Sequence, residues 1–127
     1  MELKNKKRTF IDSVKNCLEG IIYTFNHENN FKREIIIGLL VIIAGFLFKI
    51  SIIEWSIVLL LINFILVCEL LNTALEKTVD LYTKEYNAIG KVIKDAAGGA
   101  VLTMCIFSAT IGLLIFIPKV ISFITNI

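Results

Sequence analysis

Apolar and polar positions divide the chain into four helical segments joined by short polar stretches. In residues 9–26, apolar side chains recur at helical spacing opposite charged ones, which predicts an amphipathic helix on a membrane surface. Three longer apolar runs predict membrane-spanning helices at residues 34–53, 55–80 and 96–117. The pattern therefore predicts an all-α integral membrane fold with three transmembrane helices and an N-terminal surface helix.

Composition supports this interpretation. With 57% hydrophobic residues and a mean hydropathy of +0.81, the 127-residue chain is too apolar for an ordinary soluble domain. The alternative for residues 9–26, a core helix of a soluble bundle, is therefore less favoured. We expect one membrane domain over residues 1–127. The net charge of +2 is too small to predict a nucleic-acid partner.

The cysteines and the N-terminal segment exclude two further classes of protein, disulfide- or zinc-stabilised domains and proteins with a cleaved signal peptide. Cys17, Cys68 and Cys105 are odd in number and far apart, so they predict neither a disulfide framework nor a zinc site. The basic N-terminus is followed by a segment that contains charged residues instead of an unbroken apolar run, so we expect no cleaved signal peptide.

The distribution of basic residues predicts the topology. One side of the membrane has only Lys49 and Lys119, whereas the other receives most of the basic residues of the chain. By the positive-inside rule, the N-terminus is cytoplasmic, the C-terminus is outside and the protein lies in the cytoplasmic membrane. The basic residues on the cytoplasmic side include Lys4, Lys6, Lys7, Arg8, Lys84, Lys91 and Lys94.

The second span carries polar residues into its cytoplasmic end. At about 100° per residue, the spacing of Glu69, Asn72, Glu76 and Asp80 keeps all four within an arc of roughly 80° on one helix face. Acids near the bilayer usually face a protein interior or a wet cavity. Glu28, in the polar stretch before the first span, lies at the same cytoplasmic level. These acids predict a cation site, a base or both; the alternative is a helix end whose polar face is solvated.

Carboxylates beside a lysine at a membrane surface suit magnesium and phosphate chemistry. Mg²⁺ takes one or two carboxylates and completes its shell with water and phosphate oxygens, while Lys94 would neutralise phosphate charge. A carboxylate free of metal would accept the proton of an attacking hydroxyl. The sequence has no P-loop and no protein-kinase motif set.

Two non-enzymatic hypotheses compete with a kinase. The first is a small membrane subunit whose glutamates carry cations or protons, although the uncharged third span offers no continuous polar path across the bilayer. The second is a structural or assembly factor with solvated acids.

The run Glu69-Leu-Leu-Asn72-Thr-Ala-Leu-Glu76-x-x-Val-Asp80, followed by Lys94-Asp95-Ala-Ala-Gly-Gly-Ala-Val-Leu, resembles the signature of the prokaryotic diacylglycerol kinase family. The upstream Glu28-x-x-Phe31 and the amphipathic helix with Gly20 match as well. The resemblance covers nearly the whole chain. The family includes diacylglycerol kinases and the undecaprenol kinases of Gram-positive bacteria.

The resemblance implies a homotrimeric helical bundle whose active sites lie between subunits at the cytoplasmic interface. There the γ-phosphate of Mg-ATP is transferred to the hydroxyl of a membrane lipid. Glu69 would be the general base and would bind the lipid substrate, Glu28 and Glu76 would hold Mg²⁺, and Asn72 would be a further polar residue of the site. The residues that would contact ATP are Asn16, Glu28, Glu76, Glu85, Tyr86, Asn87, Lys94 and Asp95.

Two departures from the family pattern bear on the substrate. Thr9 lies where enterobacterial members have an arginine, although Arg8 is adjacent, and Gly98 replaces a serine that lies near the lipid. The phosphotransfer residues are intact. The Ile-, Lys- and Asn-rich sequence resembles the Gram-positive branch, which favours undecaprenol over diacylglycerol and leaves both as candidate acceptors.

Overall fold

The computed structural model describes residues 7–127, so Lys4 and Lys6 of the basic N-terminus lie outside the described residues. Within this range the chain forms four helices and no strand, which confirms the all-α prediction. The helices are α1 (Phe10–His27), α2 (Asn29–Leu47), α3 (Ile52–Tyr82) and α4 (Ala88–Thr125).

Helix α1 begins at a capping box. The Thr9 hydroxyl accepts from the Asp12 amide at 3.2 Å, and the Asp12 carboxylate accepts from the Thr9 amide at 3.1 Å. The hydrogen bond from the Thr9 amide to the ionised carboxylate, followed by interaction with the Thr9 side chain, lowers the pKa of Asp12. Only Thr24 of this helix is buried, so the apolar face of α1 is exposed in the single chain.

A single residue separates α1 from α2. Glu28 has extended backbone angles (φ −112°, ψ 111°) and is both the C-cap of α1 and the N-cap of α2. Its side chain makes no capping hydrogen bond to α2. The carboxylate is therefore placed at a corner of the chain and is available to other groups.

Helices α2 and α3 form an antiparallel hairpin. Gly38 faces Ile62 and Gly45 faces Trp55, where a Cβ on Gly45 would lie 2.7 Å from the indole. This register places Phe31 level with Glu69 and Glu34 level with Leu66. The predicted first span extends to residue 53, but α2 ends at Leu47. The chain turns there because Lys49 has a positive φ of 49° and a Ser51–Glu54 capping box starts α3.

Helices α3 and α4 also pack antiparallel. Ion pairs join them near both ends, Asp80 with Lys94 at 2.6 Å and Glu54 with Lys119 at 3.0 Å. The third span was predicted to end at Pro118 and Lys119, but the helix continues through Pro118 to Thr125. Proline removes one backbone hydrogen bond without ending this long helix.

The described chain buries little apolar surface of its own. Phe31, Ile50, Val58 and Ala97 are its only buried hydrophobic residues, while large aliphatic and aromatic side chains are exposed along all four helices. Helices α3 and α4 are long and apolar enough to cross a membrane. Lipid or other protein must cover this surface for the fold to be stable.

Helix α3 contacts both α2 and α4, whereas α2 and α4 do not pack against each other along their lengths. A groove of about 510 Å³ lies between them with α3 as its floor. Its lining is apolar except at the end where Glu34, Cys105 and Ser108 lie.

Candidate active site

The polar face of α3 turns toward the protein interior at Glu69. Glu69 is 2% exposed, and Asn72 and Thr73 in the next turn are also buried. Phe31 of α2, 3% exposed, covers the same level. A carboxylate that is buried away from bulk water is suited to accept a proton from a bound hydroxyl, because little solvent competes for it.

A second group of polar residues lies one to two turns nearer the C-terminal end of α3. Glu28 is 3.8 Å from the Lys77 amine, which draws the corner between α1 and α2 toward α3. The Asn72 amide donates to Glu76 at 3.4 Å. The charges of Glu28 and Glu76 both act on Glu69, so the three predicted acids lie in one neighbourhood.

This neighbourhood fits a magnesium ion that carries a nucleotide. Among residues 7–127, no group of three or more His, Cys, Asp or Glu side chains forms a closed metal cage. Mg²⁺ held with a nucleotide needs only one or two carboxylates, which Glu28 and Glu76 can supply. The side-chain oxygen of Asn72, Oδ1, is buried without a hydrogen-bond donor and offers a further hard oxygen ligand.

Lys94 approaches the acids from α4. Its amine donates to Asp80 at 2.6 Å, and the charge of Glu76 also acts on it. Gly90 allows this approach, because a Cβ there would lie 2.9 Å from a methyl of Val79. The arrangement places a fixed cation beside the carboxylates, where it can neutralise phosphate oxygens.

The other residues that are predicted to contact ATP do not lie with these acids and Lys94. Asp95 pairs with Lys91 on the exposed side of α4. Glu85 and Tyr86 lie in the exposed loop between α3 and α4, with Tyr86 83% exposed. Asn87 caps α4 by accepting from the Gly90 amide at 2.9 Å. Asn87 therefore has a structural role that its motif position did not predict.

Asn16 lies in a separate polar crevice on α1. The crevice has a volume of about 280 Å³ and includes three basic side chains. None of the acids of α3 lines it. It is formed by Lys7, Arg8, Asp12, Lys15, Asn16 and Glu19.

Glu34 was not predicted as a site residue, yet it lies near Glu69. The charge of Glu69 acts on Glu34, and the charges of both reach Cys105 of α4. In the sequence Glu34 follows Lys32 and Arg33 and resembles the solvated end of a polar stretch. Glu34 lies one helical turn after Phe31 in the sequence. This spacing indicates that Glu34 lies near Glu69 only once Phe31 is known to be buried.

The arrangement combines a buried carboxylate, Glu69, with two more accessible carboxylates, Glu28 and Glu76, and the ion-paired Lys94. These are the groups needed to deprotonate a hydroxyl, hold a metal-bound nucleotide and neutralise a phosphoryl group in transfer.

Comparison with known proteins identifies similar sequences. The family model described as prokaryotic diacylglycerol kinase matches residues 15–116. The undecaprenol kinase of Bacillus subtilis (strain 168) is 45% identical over 116 residues, covering 91% of this chain and 94% of that protein. A diacylglycerol kinase of Synechocystis is 34% identical over 111 residues, covering 87% of this chain and 63% of that protein. A diacylglycerol kinase of Helicobacter pylori (strain J99) is 32% identical over 94 residues, 73% of either chain.

Proposed function

The chain belongs to the prokaryotic diacylglycerol kinase family and is a lipid kinase, and from this premise we propose that it phosphorylates the hydroxyl of undecaprenol with ATP. Undecaprenol is preferred over diacylglycerol because the similarity to the Bacillus subtilis undecaprenol kinase extends over nearly the full length of both chains. Family membership gives no support to the alternative of a cation- or proton-handling subunit.

The observation that carries the mechanism is the burial of Glu69 about one helical turn beyond the level of Glu34, the acid that lines the apolar groove. The lipid hydroxyl oxygen attacks the γ-phosphorus of ATP, and the bond from that phosphorus to the β,γ-bridging oxygen breaks. ADP leaves with the electron pair of that bond, and the hydroxyl proton passes to the carboxylate of Glu69. The long apolar chain of the acceptor stays in the membrane.

Glu28 and Glu76 would hold the Mg²⁺ that accompanies ATP, with Asn72 next to them. The ion would supply charge neutralisation on the phosphate oxygens. Lys94 would contact the phosphates, and its ion pair with Asp80 limits where its amine can lie. Asp95, Glu85, Tyr86 and Asn87 would contact the nucleotide from the cytoplasmic side, and Asn16 from α1.

We further propose three membrane spans and a homotrimer, with the N-terminus in the cytoplasm and the C-terminus outside. Two observations support contact between copies. The exposed apolar surface of the single chain is extensive. Asn63 is exposed in the middle of the apolar part of α3, where an amide facing lipid alone would lack a hydrogen-bond partner.

Transfer of labelled γ-phosphate from Mg-ATP by the purified protein in micelles tests this function. Undecaprenol and diacylglycerol would be offered separately. We expect label in undecaprenol with the higher kcat/KM, and no label when Mg²⁺ is chelated. A higher kcat/KM with diacylglycerol would contradict the acceptor assignment, and label in neither lipid would contradict the kinase mechanism.

A further inference from the structure

Lys77 is a cation of the candidate site to which the proposed mechanism gives no role. It follows Glu76 on α3, and its amine lies 3.8 Å from a carboxylate oxygen of Glu28. No other lysine or arginine of residues 7–127 forms an ion pair with Glu28. The side chain of Lys77 is half exposed, whereas that of Glu28 is 23% exposed. A largely accessible lysine therefore lies beside a carboxylate that is proposed to bind Mg²⁺.

The charges around Glu28 explain why a cation is stable beside it. The charges of Glu28 and Glu76 both act on Glu69, so three carboxylates share one neighbourhood. The charge of Lys77 also acts on Asp80, one turn further along α3. Like charges at close range repel one another, and a nearby cation reduces that repulsion. Lys77 thus supplies beside Glu28 the positive charge that Mg²⁺ would supply in the complex with ATP.

Lys77 and Lys94 differ in how firmly their amines are held. The amine of Lys94 donates a hydrogen bond to Asp80 at 2.6 Å, which fixes its position. The amine of Lys77, at 3.8 Å from Glu28, is beyond hydrogen-bonding distance. An ion pair of this length and exposure is weak, because water screens both charges. A competing cation can therefore displace Lys77 from Glu28 while Lys94 stays in place.

We propose that Lys77 pairs with Glu28 before the nucleotide binds and then transfers its contact to the phosphates of Mg-ATP. The proposal rests on the proposed kinase function and adds a second lysine to the phosphate contacts. The oxygens around one Mg²⁺ lie about 3 to 4 Å from one another, so an amine beside one ligand of the ion is also close to the phosphate oxygens on it. The flexible stem of a lysine allows this small movement. Neither Glu28 nor Lys77 then lacks a partner of opposite charge in either state.

Equilibrium binding to the full-length protein in micelles, without an acceptor lipid, tests this exchange. Lys77→Met removes the amine and keeps most of the apolar stem. Because the competing cation is lost, we expect Mn²⁺ alone, followed by electron paramagnetic resonance in place of Mg²⁺, to bind about two- to fivefold more tightly. Because a phosphate contact is lost, a non-hydrolysable ATP analogue at saturating Mg²⁺ should bind about three- to tenfold more weakly.

Two variants control for other effects of the change. Lys77→Arg keeps the positive charge, so both affinities should stay within about twofold of wild type. Lys119→Met removes the lysine of the ion pair near the opposite end of α3 and should change neither affinity. If Lys77→Met does not assemble, Lys77→Gln removes the charge with a polar side chain and is measured with the same expectations.

The two affinities separate this inference from the function on which it rests. A wild-type protein that does not bind the analogue with Mg²⁺ contradicts the proposed kinase function itself. If the wild type binds the analogue, an affinity for Mn²⁺ that falls or stays unchanged in Lys77→Met overturns the competition between the lysine and the metal. An unchanged affinity for the analogue in Lys77→Met overturns the contact with phosphate.

Discussion

The two halves of the candidate active site differ in how far one chain completes them. In the proposed acceptor half, Glu69, Asn72 and Thr73 of α3 are buried. In the proposed nucleotide half, Glu28, Glu76 and Lys94 are partly exposed, and the other predicted contacts lie on exposed surfaces: in the loop before α4, on α4 and on α1. The proposed hydroxyl-activating group, Glu69, is therefore already buried within one chain, whereas most of the proposed nucleotide contacts are exposed in it.

The difference has a chemical reason. A general base works best when its proton-accepting group is held in place and shielded from water. The surroundings of that group must therefore be formed before the substrate binds. ATP is soluble and highly charged, and a closed pocket for it would carry unpaired charges when empty. Exposed residues that pair with one another, such as Lys91 with Asp95, avoid that cost.

The largest effect is expected from the acceptor half. Glu69→Gln keeps the shape and removes the proton acceptor, so kcat for lipid phosphorylation should fall about 10²- to 10⁴-fold while ATP binding is retained. Phosphate transfer and nucleotide binding would be measured on the same preparation. Glu54→Gln, an acid at the opposite end of α3, is the matched control. A variant that keeps most of its rate would show that Glu69 is not the base.

A smaller effect is expected where the two halves meet. Glu76→Gln removes one of two carboxylates for Mg²⁺, so the magnesium concentration needed for half-maximal rate should rise about tenfold or more, with part of the rate recovered at high magnesium. Glu85→Gln, in the exposed loop, should leave the magnesium dependence unchanged. A lower rate with an unchanged magnesium dependence would remove Glu76 from the metal site.

Helical periodicity was sufficient to predict the all-α class and the shared face of Glu69, Asn72 and Glu76. Local sequence did not predict the helix ends as well. The prediction extends the first span to residue 53 because its apolar run is otherwise marginal in length, yet the backbone turns at Lys49 and a new helix starts at the Ser51 cap. Apolar character does not distinguish a helix from the tight turn that joins two helices.

The neighbours of Glu34 and Asp80 depend on how the helices are aligned with one another, and sequence periodicity does not predict that alignment. Glu34 joins the site because glycines at 38 and 45 let α2 lie close to α3 at one particular offset. Asp80 was predicted on the acidic face, but its pairing with Lys94 follows from how α4 returns along α3. Residues on one helix can be grouped from spacing alone, whereas groups formed across helices require the packed structure.

A modest effect is expected from the residue that positions Lys94. Asp80→Asn removes the charge that holds the lysine, and because the pair is partly exposed its loss should raise the KM for ATP only about two- to fivefold. The KM for the lipid should not change, since Asp80 lies outside the acceptor half. Kinetics with each substrate varied would check this, with Glu54→Gln as the control that breaks the ion pair at the other end. A change confined to the lipid KM would contradict the division into two halves.

The smallest effect is expected at Asn87, where substitutions can distinguish helix capping from contact with the nucleotide. Asn87→Ala removes the cap of α4 and should destabilise the protein by about 1 kcal/mol, whereas Asn87→Ser keeps a capping oxygen and should be near neutral in thermal unfolding. If Asn87 also contacts the nucleotide, Asn87→Ser should raise the KM for ATP although its stability is unchanged. An ATP KM like that of the wild type in Asn87→Ser would assign Asn87 to capping alone.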